Sequence, residues 1–169
     1  MLTLIALLIG FYLGEGAGYL VHRLAHWPGS GPLHRAHMAH HLDLYPDGGP
    51  SFLSDGYRNP PASSGNVLYF MPFVLVLGAL LLILLPLGWA LLLFAEVAIL
   101  AAANSVLHDR LHVRGDRLER FAWFERLRAL HRWHHDDMAS NLGIFHFGID
   151  RVLGTLRDPA RPAPDQPPR

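Results

Sequence analysis

Three apolar stretches divide the chain, and polar segments rich in histidine fill the spaces around them. Residues 1–21 are apolar apart from Glu15, residues 67–85 carry no charge, and residues 89–107 are interrupted by Glu96, Asn104 and Ser105. At ~1.5 Å of rise per residue, each stretch is about as long as a ~30 Å hydrocarbon core is thick, so each is predicted to cross a bilayer as a helix. Pro86, Leu87 and Gly88 separate the second stretch from the third, and so short a break predicts an antiparallel helical hairpin. Further on, residues 118–136 show helical periodicity. Phe124, Leu127, His131 and His134 or His135 recur on one face, which predicts an amphipathic helix whose apolar stripe turns into a histidine stripe at its C-terminal end. The pattern as a whole predicts an all-α protein, an integral-membrane helical bundle with a histidine-rich helical cap.

Between the first two apolar stretches, Pro28, Gly29, Gly31 and Pro32 break residues 22–41 into two pieces. A helix end carries His22 and His26, and a short helix carries His37, His40 and His41. Residues 43–66 follow, rich in Pro, Gly and Ser and including Tyr45, Tyr57 and Arg58. A patternless stretch of this length is either a plain surface connection or a cover over a substrate entrance. Residues 150–155 (DRVLGT) close the ordered part. Residues 1–156 are therefore expected to form a single domain, and residues 157–169, with five prolines, a disordered tail. The N-terminal stretch lacks a basic leader and a small-residue cleavage pattern, so it is read as a span and not as a signal peptide. Glycines at 14, 16 and 18 have no strand before them and are expected to serve close helix packing in the membrane.

Charge sets the orientation and excludes one class of partner. Formal net charge is zero and every basic residue is Arg, which is unlike the clustered positive excess of a nucleic-acid-binding surface. With no cysteine, disulfides and thiolate metal sites are excluded. One crossing delivers the first two histidine blocks to one side of the membrane, and the hairpin leaves and returns to that side before His108. All fourteen arginines lie on that same side while the hairpin tip has none, so the histidine side is expected to face the cytoplasm.

Of twelve histidines, ten fall into four blocks: His22 with His26, the triad His37, His40 and His41, His108 with His112, and the triad His131, His134 and His135. Residues three and four apart share a helix face, so each HxxHH triad is expected to point three imidazoles into one small volume. Neither chance nor a histidine tract explains the arrangement, because the same triad occurs twice and the blocks are far apart. Neutral imidazole suits iron, zinc, copper and nickel, and about four ligands per ion means that ten histidines imply two ions. Glu15 shares a stripe with Tyr19, His22 and His26, and is expected to orient a ligand imidazole from within the span. Glu96 and Asn104 raise the same question in the third span, with Asn104 one turn before His108. Asp109, Asp136 and Asp137 flank ligand blocks, and His34 and His146 are read as supporting or structural residues. Two other classes fit less well. A metal transporter places its ligands near the midplane and not at span ends, and a zinc hydrolase of the HExxH type lacks its motif here.

The blocks HRLAH, HMAHH, HDRLH and HRWHH, in this order around apolar spans and followed by Asn141-x-Gly143 and DRVLGT, resemble the fatty acid hydroxylase and sterol desaturase superfamily of integral-membrane di-iron oxygenases. The resemblance runs from His22 to Thr155. It implies that the ten histidines hold two iron ions, which zinc can replace in a purified sample, and that dioxygen is the co-substrate. It implies a lipid substrate, fatty acyl, sterol-like or related, that is hydroxylated or, in the alternative outcome, desaturated. It also brings in Asn141 as a residue supporting the ligands, and no catalytic residue beyond the ligands is expected. Carotenoid hydroxylases share the size and box pattern, with one more residue between the histidines of their first and third boxes. Two electrons per turnover are expected from a separate donor, a reductase, ferredoxin or cytochrome-type protein, since no nucleotide-binding, haem or iron–sulfur pattern is present.

Overall fold

The computed structural model describes residues 2–46, 52–56 and 67–158; Tyr57, Arg58 and the proline-rich residues 159–169 lie outside the described residues. Among the described residues six α-helices are formed: α1 (Leu2–Ala25), α2 (Pro32–Ala39), α3 (Val67–Leu84), α4 (Leu87–Leu111), α5 (Ala122–Asp136) and α6 (Gly148–Leu153). Short 3-10 turns lie at Pro28–Ser30 and Arg117–Arg120, and a π turn at His40–Leu44 continues α2. The fold is all-α, and among the described residues the β component is a single bridge between Ser54 and Val113.

Two helices, Leu4–Ala25 within α1 and Leu87–Leu111, are long and apolar enough to cross a membrane. The third predicted span, α3, is shorter at 18 residues. Their outer faces expose large apolar side chains such as Leu75, Val76, Ile83, Leu84 and Ile99, as a lipid-facing surface does. Pro86 serves as N-cap of α4, where a fixed φ and a missing N–H cost nothing. The α4 helix therefore starts at Leu87, ahead of Gly88, and the loop between α3 and α4 is shorter than the sequence pattern suggests. At their other ends α1 and α4 run past the apolar stretches and carry His22 and His108 inside the helix.

Helices α1 and α4 lie parallel in a fixed register. A Cβ at Gly10 would collide with Glu96, one at Gly14 would meet Leu100, and one at Gly18 would touch Asn104, each pair 86 residues apart. The same offset pairs His22 with His108 and His26 with His112. Small residues every fourth position let the two backbones approach, and the seam they form delivers both HxxxH pairs at one level. The packing stripe is thus Gly10, Gly14 and Gly18. Gly16, expected to belong to it, faces open space, where a Cβ would meet nothing within 4 Å. Helix α3 packs on α4 through Leu81, Ala90 and Leu93, with Gly78 admitting the Phe94 ring.

The amphipathic helix predicted over 118–136 forms in two pieces. Asp116 accepts the Leu118 N–H at 2.8 Å and sets up the 3-10 turn, after which Phe121 is extended (φ −105°, ψ 124°) and α5 begins. Phe124, fully buried with Leu107 and Leu111, anchors α5 under the end of α4. Arg128 completes the joint: it donates to the Leu111 and Val113 carbonyls at 3.1 and 2.9 Å and pairs with Glu119 at 2.7 Å. A guanidinium at this point satisfies carbonyls at the end of α4, on either side of His112.

Candidate metal centre

The ten histidines of the four blocks converge in one buried volume. They sort into a group of five, His22, His26, His37, His41 and His134, and a group of four, His40, His108, His112 and His131, in each of which one ligating atom per residue lies within 4.8 Å of the others. His135 groups with His40 and His41 at the boundary between them. The expectation that each triad faces one volume is corrected here. His37 and His41 enter the first group and His40 the second, while His134 enters the first and His131 the second. The cause is helical geometry. Positions i+3 and i+4 fall on opposite sides of the line through position i, and a π turn, closed by Tyr45 N–H to the His40 carbonyl at 3.0 Å, begins at His40 within the first triad. Each triad therefore stitches both groups together.

Four rings have their tautomer set by the backbone. Nδ1–H of His22 donates to the Leu142 carbonyl at 2.6 Å, that of His134 to Ser140 at 2.7 Å, that of His135 to Tyr45 at 2.9 Å and that of His112 to Phe52 at 3.1 Å. A carbonyl only accepts, so in each case Nε2 carries the lone pair. These lone pairs point at other imidazoles. His22 Nε2 lies 3.1 Å from His37 Nε2, His134 Nε2 3.1 Å from His26 Nε2, and His112 Nε2 3.0 Å from His131 Nε2. His37 Nε2 also lies 2.8 Å from His26 Nε2 and 3.1 Å from His41 Nε2. One N–H cannot serve three neighbours, whereas a cation placed among them would. Ligands on adjacent positions of an ion with bonds of ~2.1 Å are themselves ~3 Å apart, which is the spacing found.

Two further observations test the fit. His135 Nε2 is buried without a hydrogen-bond partner among the described residues, a lone pair left for something other than protein. Burial also keeps the rings neutral: it holds His26 down to about 2, and His37, His41, His112, His131, His134 and His135 well below the ordinary imidazole range, with neighbouring imidazoles adding to the effect. Neutral imidazole is the form that binds a metal. The residues fit two ions in an all-nitrogen shell.

The surrounding residues divide into those that support the site and those that do not. Asn141 is fully buried at positive φ (50°). Its side chain donates to the Leu130 and Arg157 carbonyls at 3.0 and 2.8 Å and accepts the Arg157 N–H at 2.7 Å. It thereby fixes the loop in which the neighbouring residues, Ser140 and Leu142, offer their carbonyls to His134 and His22. Arg157 is thus tied to the domain, and Asp158 pairs with Arg126. Glu15 does not reach an imidazole, contrary to its expected role. Its Oε2 accepts the His146 N–H at 3.1 Å, securing the same loop from the membrane side. Asp109 Oδ1 is 3.8 Å from His108 Nδ1, too far for a hydrogen bond. His34 Nδ1 donates to the Ala25 carbonyl at 3.0 Å and closes the end of α1, while the exposed His146 ring accepts the Gly148 N–H; neither joins the cluster. Asp136 and Asp137 are exposed, and Glu96 lies in the α1–α4 seam against Gly10.

Sequence reasoning missed several contributors. Tyr45 and Phe52 are buried, supply carbonyls, and pack their rings on His112 at centroid distances of 4.1 and 4.6 Å. The described parts of the 43–66 connection therefore back the metal-side rings. Asp150 is also fully buried and accepts the Leu142 and Gly143 N–H groups, each at 2.8 Å, and the Thr155 hydroxyl at 2.8 Å. The DRVLGT motif contained Asp150 and Thr155, and a buried acid closing a loop was the signal within it.

An apolar cleft leads from the bundle to the cluster. It runs between α1, α3 and α4, lined by Ala17, Phe73, Val74, Leu77, Val97 and Ala101, and ends at His22, His37 and His108. It therefore touches rings of both groups.

Two helices long and apolar enough to cross a membrane that end together in a two-part imidazole cluster, with an apolar cleft opening onto it, define a membrane protein whose histidines could hold metal. Its family follows from comparison: the fatty acid hydroxylase family model matches residues 7–155, and the chain belongs to that family. The family is one of oxidoreductases, lipid hydroxylases and related desaturase-type oxygenases. No curated protein and no solved structure matches the chain.

Proposed function

We propose that the protein is a multi-pass membrane di-iron hydroxylase that inserts one oxygen atom of dioxygen into a lipid carbon, with its site on the cytoplasmic side. The observation that carries this reading is the apolar cleft ending at His22, His37 and His108, imidazoles drawn from both groups. Iron held by His22, His26, His37, His41 and His134, and by His40, His108, His112 and His131 with His135 between, would supply the activation of dioxygen that an unactivated C–H bond requires.

The chain's own part is positioning and exclusion. The cleft walls on α1, α3 and α4 strip water from an acyl chain and align it along the helices, so that one carbon is presented to the cluster. The carbonyls of Tyr45, Phe52, Ser140 and Leu142 lock four rings against rotation. Full burial of His40, His112, His131 and His134 keeps bulk water from the oxidising centre. One oxygen atom enters the product and the other leaves as water, which consumes two electrons and two protons from a separate donor.

The test is a lipid profile, by mass spectrometry, of host membranes with and without the chain, alongside a His134→Ala control. A new species heavier by one oxygen and absent in the control is expected. A species lighter by two hydrogens would reassign the protein as a desaturase, and no change in the presence of iron and a competent donor would overturn the proposal.

A further inference from the structure

The cleft is apolar along most of its length, but at one level two polar side chains enter it. Glu15 on α1 and Asn104 on α4 both line it and interact across the seam. Glu15 is 5 % exposed. Its Oε2 is used by the His146 N–H, whereas its Oε1 and Asn104 Oδ1 are buried without a hydrogen-bond partner among the described residues. Gly18 packs beside the Asn104 amide: a Cβ there would stand 3.5 Å from Asn104 Nδ2. Neither residue is needed to orient an imidazole. Both residues line the cleft, and a buried acceptor oxygen without a donor is costly unless something that enters supplies one.

Their distance from the cluster follows from the helix rise. Asn104 precedes His108 by four residues and Glu15 precedes His22 by seven, which places the pair about 6–10 Å below the imidazoles. Apolar walls continue on the far side, at Val97, Leu77 and Phe73. A plain hydrocarbon chain lying there leaves both acceptors unsatisfied.

We propose that Glu15 and Asn104 recognise a hydroxyl group on the substrate, so that the lipid taken up carries a hydroxyl about 6–10 Å from the carbon presented to the imidazoles. This rests on the reading of the cleft as the lipid site. It makes Glu15 and Asn104 specificity-determining residues, and it accounts for an acid and an amide at a depth where polar groups are otherwise avoided.

Binding separates this proposal from turnover. The full-length, zinc-loaded protein in detergent micelles is titrated with 8-hexadecanol, its methyl ether and hexadecane, and occupancy is read by native mass spectrometry. The wild type should bind the alcohol about tenfold more tightly than the ether, which keeps the oxygen and loses the donor. Asn104→Leu should reduce that preference to less than about twofold. Glu15→Gln keeps an oxygen for the His146 N–H and puts an amide donor in place of the free acceptor, so it should cancel the preference while leaving the fold intact. Equal binding of alcohol and ether by the wild type would overturn the proposal, as would a preference unchanged in both variants. A preference for the alcohol without oxidation by the iron-loaded protein supplied with dioxygen and a competent electron donor would overturn the hydroxylase reading and leave this one standing, and failure of all three lipids to bind would contradict both.

Discussion

The imidazoles act as metal ligands only if their rings are held, and at four of them a backbone carbonyl does the holding. A carbonyl can be offered by any residue, so the partners of His22, His112, His134 and His135 had no signature in the sequence. The rings themselves did, because an imidazole ligand must come from histidine and its spacing is fixed by the helix. Asp150 shows the consequence at the level of one side chain. It touches no imidazole, yet both its oxygens anchor the loop that presents Leu142 to His22. Asp150→Ala is expected to cost about 3 kcal/mol by leaving two buried N–H groups unpaired, and to weaken zinc binding by about 10–100-fold while all ten rings remain. Thermal melting and zinc titration of the purified variant check this. Asp150→Asn, which keeps one acceptor, should fall between the variant and the wild type.

At the level of elements, α1 and α4 do the aligning. Their long apolar helices were legible in the sequence, and their partnership was not, because a glycine in an apolar run looks alike whether it faces a neighbouring helix or lipid. The structure selects Gly10, Gly14 and Gly18 over Gly16. Gly14→Leu is expected to destabilise the bundle by about 1–3 kcal/mol through overpacking against Leu100, whereas Gly16→Ala should be neutral or stabilising by up to about 1 kcal/mol through its helix propensity. Melting of both variants in one detergent tests the register directly. The histidine triads carry a parallel lesson. The spacing foretold a shared face, but the division of each triad between two groups depends on where α2, with its π turn, and α5 sit relative to α1 and α4. That is a tertiary fact that no local pattern encodes. The 3-10 turn ahead of α5 is of the same kind, since the period continues through Phe121 while the backbone does not.

For the whole molecule, the all-α class and the meeting of four distant histidine blocks were readable because membrane crossings can be counted. The α3–α4 hairpin turns at Pro86, and both α1 and α4 finish at the cluster, so the multi-pass topology proposed above puts the hairpin tip and the cluster on opposite sides of the membrane. The chain has no cysteine, which makes single-cysteine labelling clean. Gly88→Cys at the hairpin tip is expected to react with an impermeant maleimide on intact cells, and Trp123→Cys, on exposed α5, only after permeabilisation. The reverse pattern would invert the orientation proposed for the site. The most direct test of the two-part centre is the metal content of the purified, iron-loaded chain, measured with the wild type beside His112→Ala and His26→Ala. Two ions per chain are expected in the wild type, with each variant, drawn from a different group of rings, losing one. A single ion per chain, or loss of both from either variant, would contradict a centre built as two linked halves.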